Sequence, residues 1–101
     1  KLFTDDRFGS LGFTVTPVGN GCETRMHLLR LAPDGVIGEH PAVDQQLLVV
    51  LSGAASVSTP IEGPHEIAVG QAAAFEPGEM HTTRSRSGLV ALAIEGHLDL
   101  T

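Results

Sequence analysis

Glycine and proline punctuate this sequence so often that almost no stretch of about ten residues keeps a helical spacing of apolar residues without meeting one of them. An interior glycine or proline weakens or breaks a helix, whereas a strand needs only a short run between turns. The runs that remain are rich in β-branched and apolar residues. They are Phe13–Val18, Glu23–Leu31, Gln46–Leu51, Ala55–Thr59, His65–Val69, Ala72–Glu76, Met80–Ser85 and Leu89–Ile94. Between them stand Gly19-Asn20-Gly21, Pro33-Asp34-Gly35, Ser52-Gly53, Glu62-Gly63-Pro64, Pro77-Gly78 and Ser87-Gly88. Glycine reaches positive φ there and proline fixes φ while withholding a ladder donor, so each group reads as a turn. Short strands at this spacing predict an all-β protein: a sandwich, a jelly roll or a small antiparallel barrel.

A chain of 101 residues holds one hydrophobic core, so residues 1–101 are expected to form a single domain. With 42% hydrophobic and 18% charged residues, the composition is that of a folded chain. The formal charge of −6, with only six Lys and Arg, repels phosphate backbones, so no nucleic-acid partner is expected. Cys22 is the single cysteine, which excludes an internal disulfide and points to a reducing, cytoplasmic setting. No apolar run reaches the length of a membrane-spanning helix, and Lys1–Ser10 lacks the apolar stretch of a signal peptide, so no membrane partner is expected.

Side chains of a strand alternate between its two faces. In Met80–Ser85 this puts His81, Thr83 and Ser85 on one face, and Thr82 and Arg84, followed by Arg86, on the other; the arginines mark the outside. The same counting through the extended segment before Leu47-Leu48-Val49-Val50-Leu51 places His40, Ala42, Asp44 and Gln46 on one face. Two inward histidines on separate strands are therefore expected to converge and to face one another across the interior, close enough to share one ion or one water.

The segment from Gly35 through His40, Ala42 and Gln46 to Gly53 resembles the first of two motifs of the cupins: Gly, five residues, His-x-His, three or four residues, Glu, six residues, Gly. It has one residue fewer after the opening glycine. The segment from Gly70 through Pro77, Gly78 and His81 to Ser85 resembles the second motif: Gly, five residues, Pro-x-Gly, two residues, His, three residues, Asn. Its proline is displaced by one and Ser85 stands at the asparagine. The resemblance covers Gly35–Ser85, about half the chain, and implies a double-stranded β-helix barrel with a pocket inside. His40, Ala42, Gln46, His81 and Thr83 are expected to line that pocket, around a small molecule.

The family's metal site joins three imidazoles to one carboxylate, a set suited to Zn, Ni, Mn, Fe or Cu. His40 and His81 match the first and third histidines, but Ala42 replaces the second and Gln46 replaces the glutamate. Any cofactor implied by the resemblance is one divalent transition metal held loosely by His40, His81 and Gln46, with water completing the shell. Alternatively, His40 and His81 are hydrogen-bonded polar residues of a wet cavity and Gln46 is a buried amide. If the metal binds, His81→Ala is expected to abolish its uptake without unfolding the barrel. Glu39 and Glu79 share parity with outward side chains. His27 reads as accommodated in its strand although able to face the cavity, while His65 in its turn and His97 in the Glu95–Thr101 tail read as solvated. Cys22 has no basic cluster nearby in sequence to activate it. Three classes follow: a small-molecule-binding cupin, a metal-dependent oxygenase, isomerase or lyase, and a dimerising regulatory domain. No residue is assigned a catalytic role. The outward set Leu47, Val49 and Leu51 needs a cover, which predicts a homodimer, or else a covering N-terminal strand.

Overall fold

The computed structural model describes residues 3–5, 9–20 and 24–98, and every regular element of those residues that is longer than one residue is a β-strand. The strands are β1 (Phe3–Asp5), β2 (Leu11–Asn20), β3 (Thr24–Pro41), β4 (Gln45–Ser58), β5 (His65–Ala68), β6 (Ala72–Phe75), β7 (Met80–Ser85) and β8 (Leu89–Gly96). All pairings are antiparallel. Cys22 lies outside the described residues.

Two strands run on through residues that the sequence marks as turns. Pro33-Asp34-Gly35 and Ser52-Gly53, read above as turns between strands, are corners within single strands, β3 of 18 residues and β4 of 14. The ladder explains why. The first half of β3 pairs with β2 and β8, and its second half, from Gly35 to Pro41, pairs with β7. Likewise β4 pairs with β6 and β8 before its corner and with β5 and β7 after it. Each corner lets one strand leave one sheet and enter the other. Because β3 and β4 each bond to both β7 and β8, the ladder β3-β8-β4-β7 closes on itself, which makes a barrel without an open edge at its centre. β1 extends the outer edge at β2, beyond β3 and away from β4, so its described residues do not cover the Leu47–Leu51 face as a covering N-terminal strand would.

Inward positions of both sheets supply the core: Leu48 and Val50 of β4, Leu29 and Leu31 of β3, and Ala91 and Ala93 of β8 are all buried. The seryl hydroxyls hold the corners and joints. Ser85 Oγ donates to the carbonyl of Ala54 at 2.6 Å, beside the β4 corner, and the amide of Gly38 donates to Ser10 Oγ at 3.1 Å.

The β4 corner also depends on Gly53. Its φ is +79°, and a Cβ there would lie 2.0 Å from the carbonyl oxygen of Gly88. Gly70 has a similar φ of +85° but open space around the missing Cβ. Gly53→Ala is therefore expected to lower stability by at least about 2 kcal/mol, from strain plus a backbone clash, and Gly70→Ala by about 1 kcal/mol, from strain alone. Urea denaturation of the two variants measures the difference, and equal losses contradict the corner argument.

Candidate functional site

The turn before β7 sets the position of the first imidazole. Gly78 sits at a φ of +81°, and the amide of Glu79 donates to the carbonyl of Glu76 at 3.0 Å, which delivers the chain into β7 with His81 facing inward. His81 is only 1% exposed and stacks on Phe75, ring centres 4.0 Å apart and planes 13° from parallel. His40 is its direct neighbour in the β3–β7 ladder, past an irregularity in register between Ile37 and His40. The two imidazole centres lie 4.5 Å apart. They stand side by side on neighbouring strands, as partners on one rung, and do not reach towards each other across the barrel.

Both rings are held in the same way. His40 Nδ1 lies 2.7 Å from the carbonyl oxygen of Gly38, and His81 Nδ1 lies 3.0 Å from that of Glu79. A carbonyl oxygen only accepts, so each Nδ1 carries the proton and donates it; in His81, which burial keeps neutral, that leaves Nε2 as the acceptor nitrogen. That arrangement also orients histidines that ligate metals.

These residues stand on the wall of a cavity of about 350 Å3. Its apolar wall includes Phe13, Val15, Leu29, Ile37, Leu48 and Ala93. Its polar wall comprises His27, His40, Gln46, His81, Thr83 and Glu95. His40, Gln46, His81 and Thr83, expected from the sequence, thus meet on one cavity. Ala42 does not line it. The alternation used to place Ala42 ends with β3 at Pro41, and residues 42–44 are not strand, so Pro41 and Val43 reach the wall instead. Ala42 is packed at 2% exposure, its amide donating to the carbonyl of Glu79 and its carbonyl accepting from the amide of Gly78. It opens no space beside the histidines. Glu39 is exposed, and Glu79 turns its Oε1 back to accept from the amide of Glu76 at 3.1 Å.

The sequence reading missed Glu95. It was assigned to a tail, but β8 runs on to Gly96, and alternation from Leu89 through Ala91 and Ala93 carries Glu95 to the inner face. There it is the rung partner of Gln46 on β4 and of Arg25 on β3. Arg25 reaches Glu95 Oε2 at 3.4 Å and Asp44 Oδ2 at 3.2 Å, a shared and half-exposed contact. His27, two residues before buried Leu29, joins the wall by the same alternation.

This donor set does not fit the family's metal. Two oriented imidazoles are present, but Ala42 supplies no donor, Gln46 offers a neutral amide, and Glu95 is not grouped with the two histidines. Among the described residues no three His, Cys, Asp or Glu side chains are grouped to hold an ion.

Burial pushes the His81 imidazole below its ordinary value; the bond to the Glu79 carbonyl opposes this, the neighbouring His40 adds to it, and the carboxylates of Glu79 and Glu95 oppose it. The unfolded chain thus takes up a proton that the folded barrel resists. The stability linked to neutral His81 is present above the ordinary imidazole pKa of about 6.5 and is lost as pH falls through that value towards the folded one. Because His81 is stacked and fully buried, it is also a packing residue, which corrects the expectation that His81→Ala is tolerated. That substitution is expected to cost about 2–5 kcal/mol at pH 8. Stability of the variant is expected to fall less steeply between about pH 7 and pH 5 than that of the parent. Urea melts across this range check both, and identical slopes contradict the assignment.

No protein-family model matches the sequence, and no curated protein does. The three-dimensional comparison is informative. The structure is similar to an RmlC-like cupin from Shewanella frigidimarina, with a TM-score of 0.78 at 13% identity over 97% of this chain and 92% of that one. It is also similar to a cupin superfamily protein from Desulfitobacterium hafniense, with a TM-score of 0.77 at 12% identity over 83% and 76% of the two chains. An RmlC-like cupin family protein from Methanocaldococcus jannaschii, described as a double-stranded β-helix, gives 0.75 at 12% identity over 93% and 85%. With its closed β3-β8-β4-β7 ladder and strands shared between two sheets, the chain has the double-stranded β-helix fold of the cupin superfamily.

Proposed function

We propose that this protein binds a small organic molecule in the barrel cavity and that it does so without a resident metal ion. The observation that carries this reading is the wall itself: apolar side chains on most sides, with the cross-strand pairs His40–His81 and Gln46–Glu95 contributing polar atoms from both sheets. A cavity of about 350 Å3 with few polar groups is suited to a small ligand. The metal-dependent enzyme is the weaker reading, because it needs donors that Ala42 and Gln46 do not supply; an ion on His40 and His81 would be loosely held and exchangeable. Protein purified without a polyhistidine tag is the material for the test. Native mass spectrometry is expected to find an organic adduct that denaturation releases, and elemental analysis to find metal well below one equivalent. One full equivalent of a transition metal overturns the reading in favour of the enzyme.

The outer face of the larger sheet supports a homodimer. Across it run two apolar rows, Ala74, Leu47, Ile94 and Met26, then Ala72, Val49, Leu92 and Leu28, each row one rung of β6, β4, β8 and β3. Leaving such side chains in water forgoes about 1.5–3 kcal/mol for each large one. A second copy offers the matching face by symmetry. Sedimentation at micromolar concentration is expected to give a dimer, and Val49→Glu a monomer. A parent chain that stays monomeric at high concentration excludes the dimer.

A further inference from the structure

Resting on the cavity-binding reading, we infer that the ligand is a small amine carried on an apolar body, and that Glu95 is the residue that anchors its ammonium group. Two features of the site lead there: the sign of the charge on the cavity wall and the place where that charge sits.

Among the described residues on the wall, none is Lys or Arg, and Glu95 is the only side chain with a permanent charge. An anionic ligand would enter with no cationic partner and would face a carboxylate, a pairing that desolvation makes costly. An ammonium group meets the opposite arrangement. It finds the carboxylate of Glu95 and, on the same rung, the amide oxygen of Gln46. The apolar remainder finds Phe13, Val15, Leu29 and Leu48.

Arg25 does not cancel this charge. It is the rung partner of Glu95 on β3, beyond the residues that line the cavity, and is shared between Asp44 and Glu95, so the three groups together carry one guanidinium against two carboxylates, a net charge of −1. Its shorter contact is to Asp44, at 3.2 Å against 3.4 Å to Glu95, and its side chain is about half exposed, so its hold on Glu95 is screened. The overall charge of −6 adds a field that draws cations towards the chain.

Three probes share one apolar body and differ in the charge of the head: benzylamine, benzyl alcohol and benzoate. Titration calorimetry at pH 7, at constant ionic strength, is expected to rank benzylamine at least about tenfold tighter than benzyl alcohol, with benzoate weakest. Glu95→Gln, which keeps the shape of the side chain, is expected to erase the preference for benzylamine over benzyl alcohol. Arg25→Gln, which frees the carboxylate, is expected to tighten benzylamine alone. Thermal melts confirm that both variants are folded. If benzyl alcohol binds but benzoate equals or exceeds benzylamine, or if Glu95→Gln leaves the amine preference intact, the amine site is overturned while cavity binding stands. If no probe binds, the amine site is overturned, and the adduct found or not found by native mass spectrometry decides cavity binding separately.

Discussion

Everything in this barrel depends on two strands that each serve both sheets. β3 and β4 are long enough to pair with β8 on one side of their corners and with β7 on the other, which closes the ladder. A 101-residue chain has little core to spare, and closure removes the exposed edges that a flat sheet of the same strands would leave at its centre. The corners are therefore the demanding positions. At one, Asp34 takes a φ of +63° and its amide donates to the carbonyl of Arg86 at 3.1 Å; at the other, Gly53 passes so close to Gly88 that no side chain fits. Both corners are met by residues that tolerate left-handed backbone.

Closure also explains where the polar residues collect. The second half of β3 lies beside β7, which makes His40 and His81 partners on one rung, and the first half of β4 lies beside β8, which does the same for Gln46 and Glu95. Between these pairs the interior stays open because β8 presents Ala93 on the wall, where a larger side chain would fill the space. The two pairs differ in electrical character. One is a pair of imidazoles, each held by a backbone carbonyl two residues back; the other joins an amide to a carboxylate. Ala42 is a packed residue that ties the end of β3 to the turn at Gly78 and Glu79 and offers no donor atom to the cavity.

Much of this was legible in the sequence wherever alternation runs unbroken. The β7 pattern placed His81, Thr83 and Ser85 inside and Arg84 outside, and those burials are observed. Turn residues marked the strand limits well but could not distinguish a turn from a corner, because glycine and aspartate at positive φ serve both, and only long-range pairing separates them. Parity failed at Ala42, where counting continued past Pro41 into residues that are not strand. It was stopped too soon at Ile94, and so Glu95 was lost; β8 extends to Gly96 because β3 and β4 on either side still offer rungs there. A strand's length is set by its neighbours, which lie far away in sequence.

The buried histidine then carries two duties that pull on its chemistry together. His81 completes the core through Phe75 and borders the cavity through its acceptor nitrogen. Burial keeps it neutral, and neutrality is what lets a ring with its Nδ1 proton committed to a carbonyl accept a hydrogen bond from a ligand. A lysine or arginine at the same rung would bring a charge into a space whose solvation has been removed, and a purely apolar residue would fill it without an acceptor. The site is thus polar without being charged at its buried end, and its one permanent charge, on Glu95, sits where Arg25 and Asp44 are still half exposed to water. That gradient from wet carboxylate to dry imidazole orients any ligand with a cationic head and an apolar body, since desolvating the head costs least where the carboxylate is and the apolar body gains most against Leu29 and Leu48.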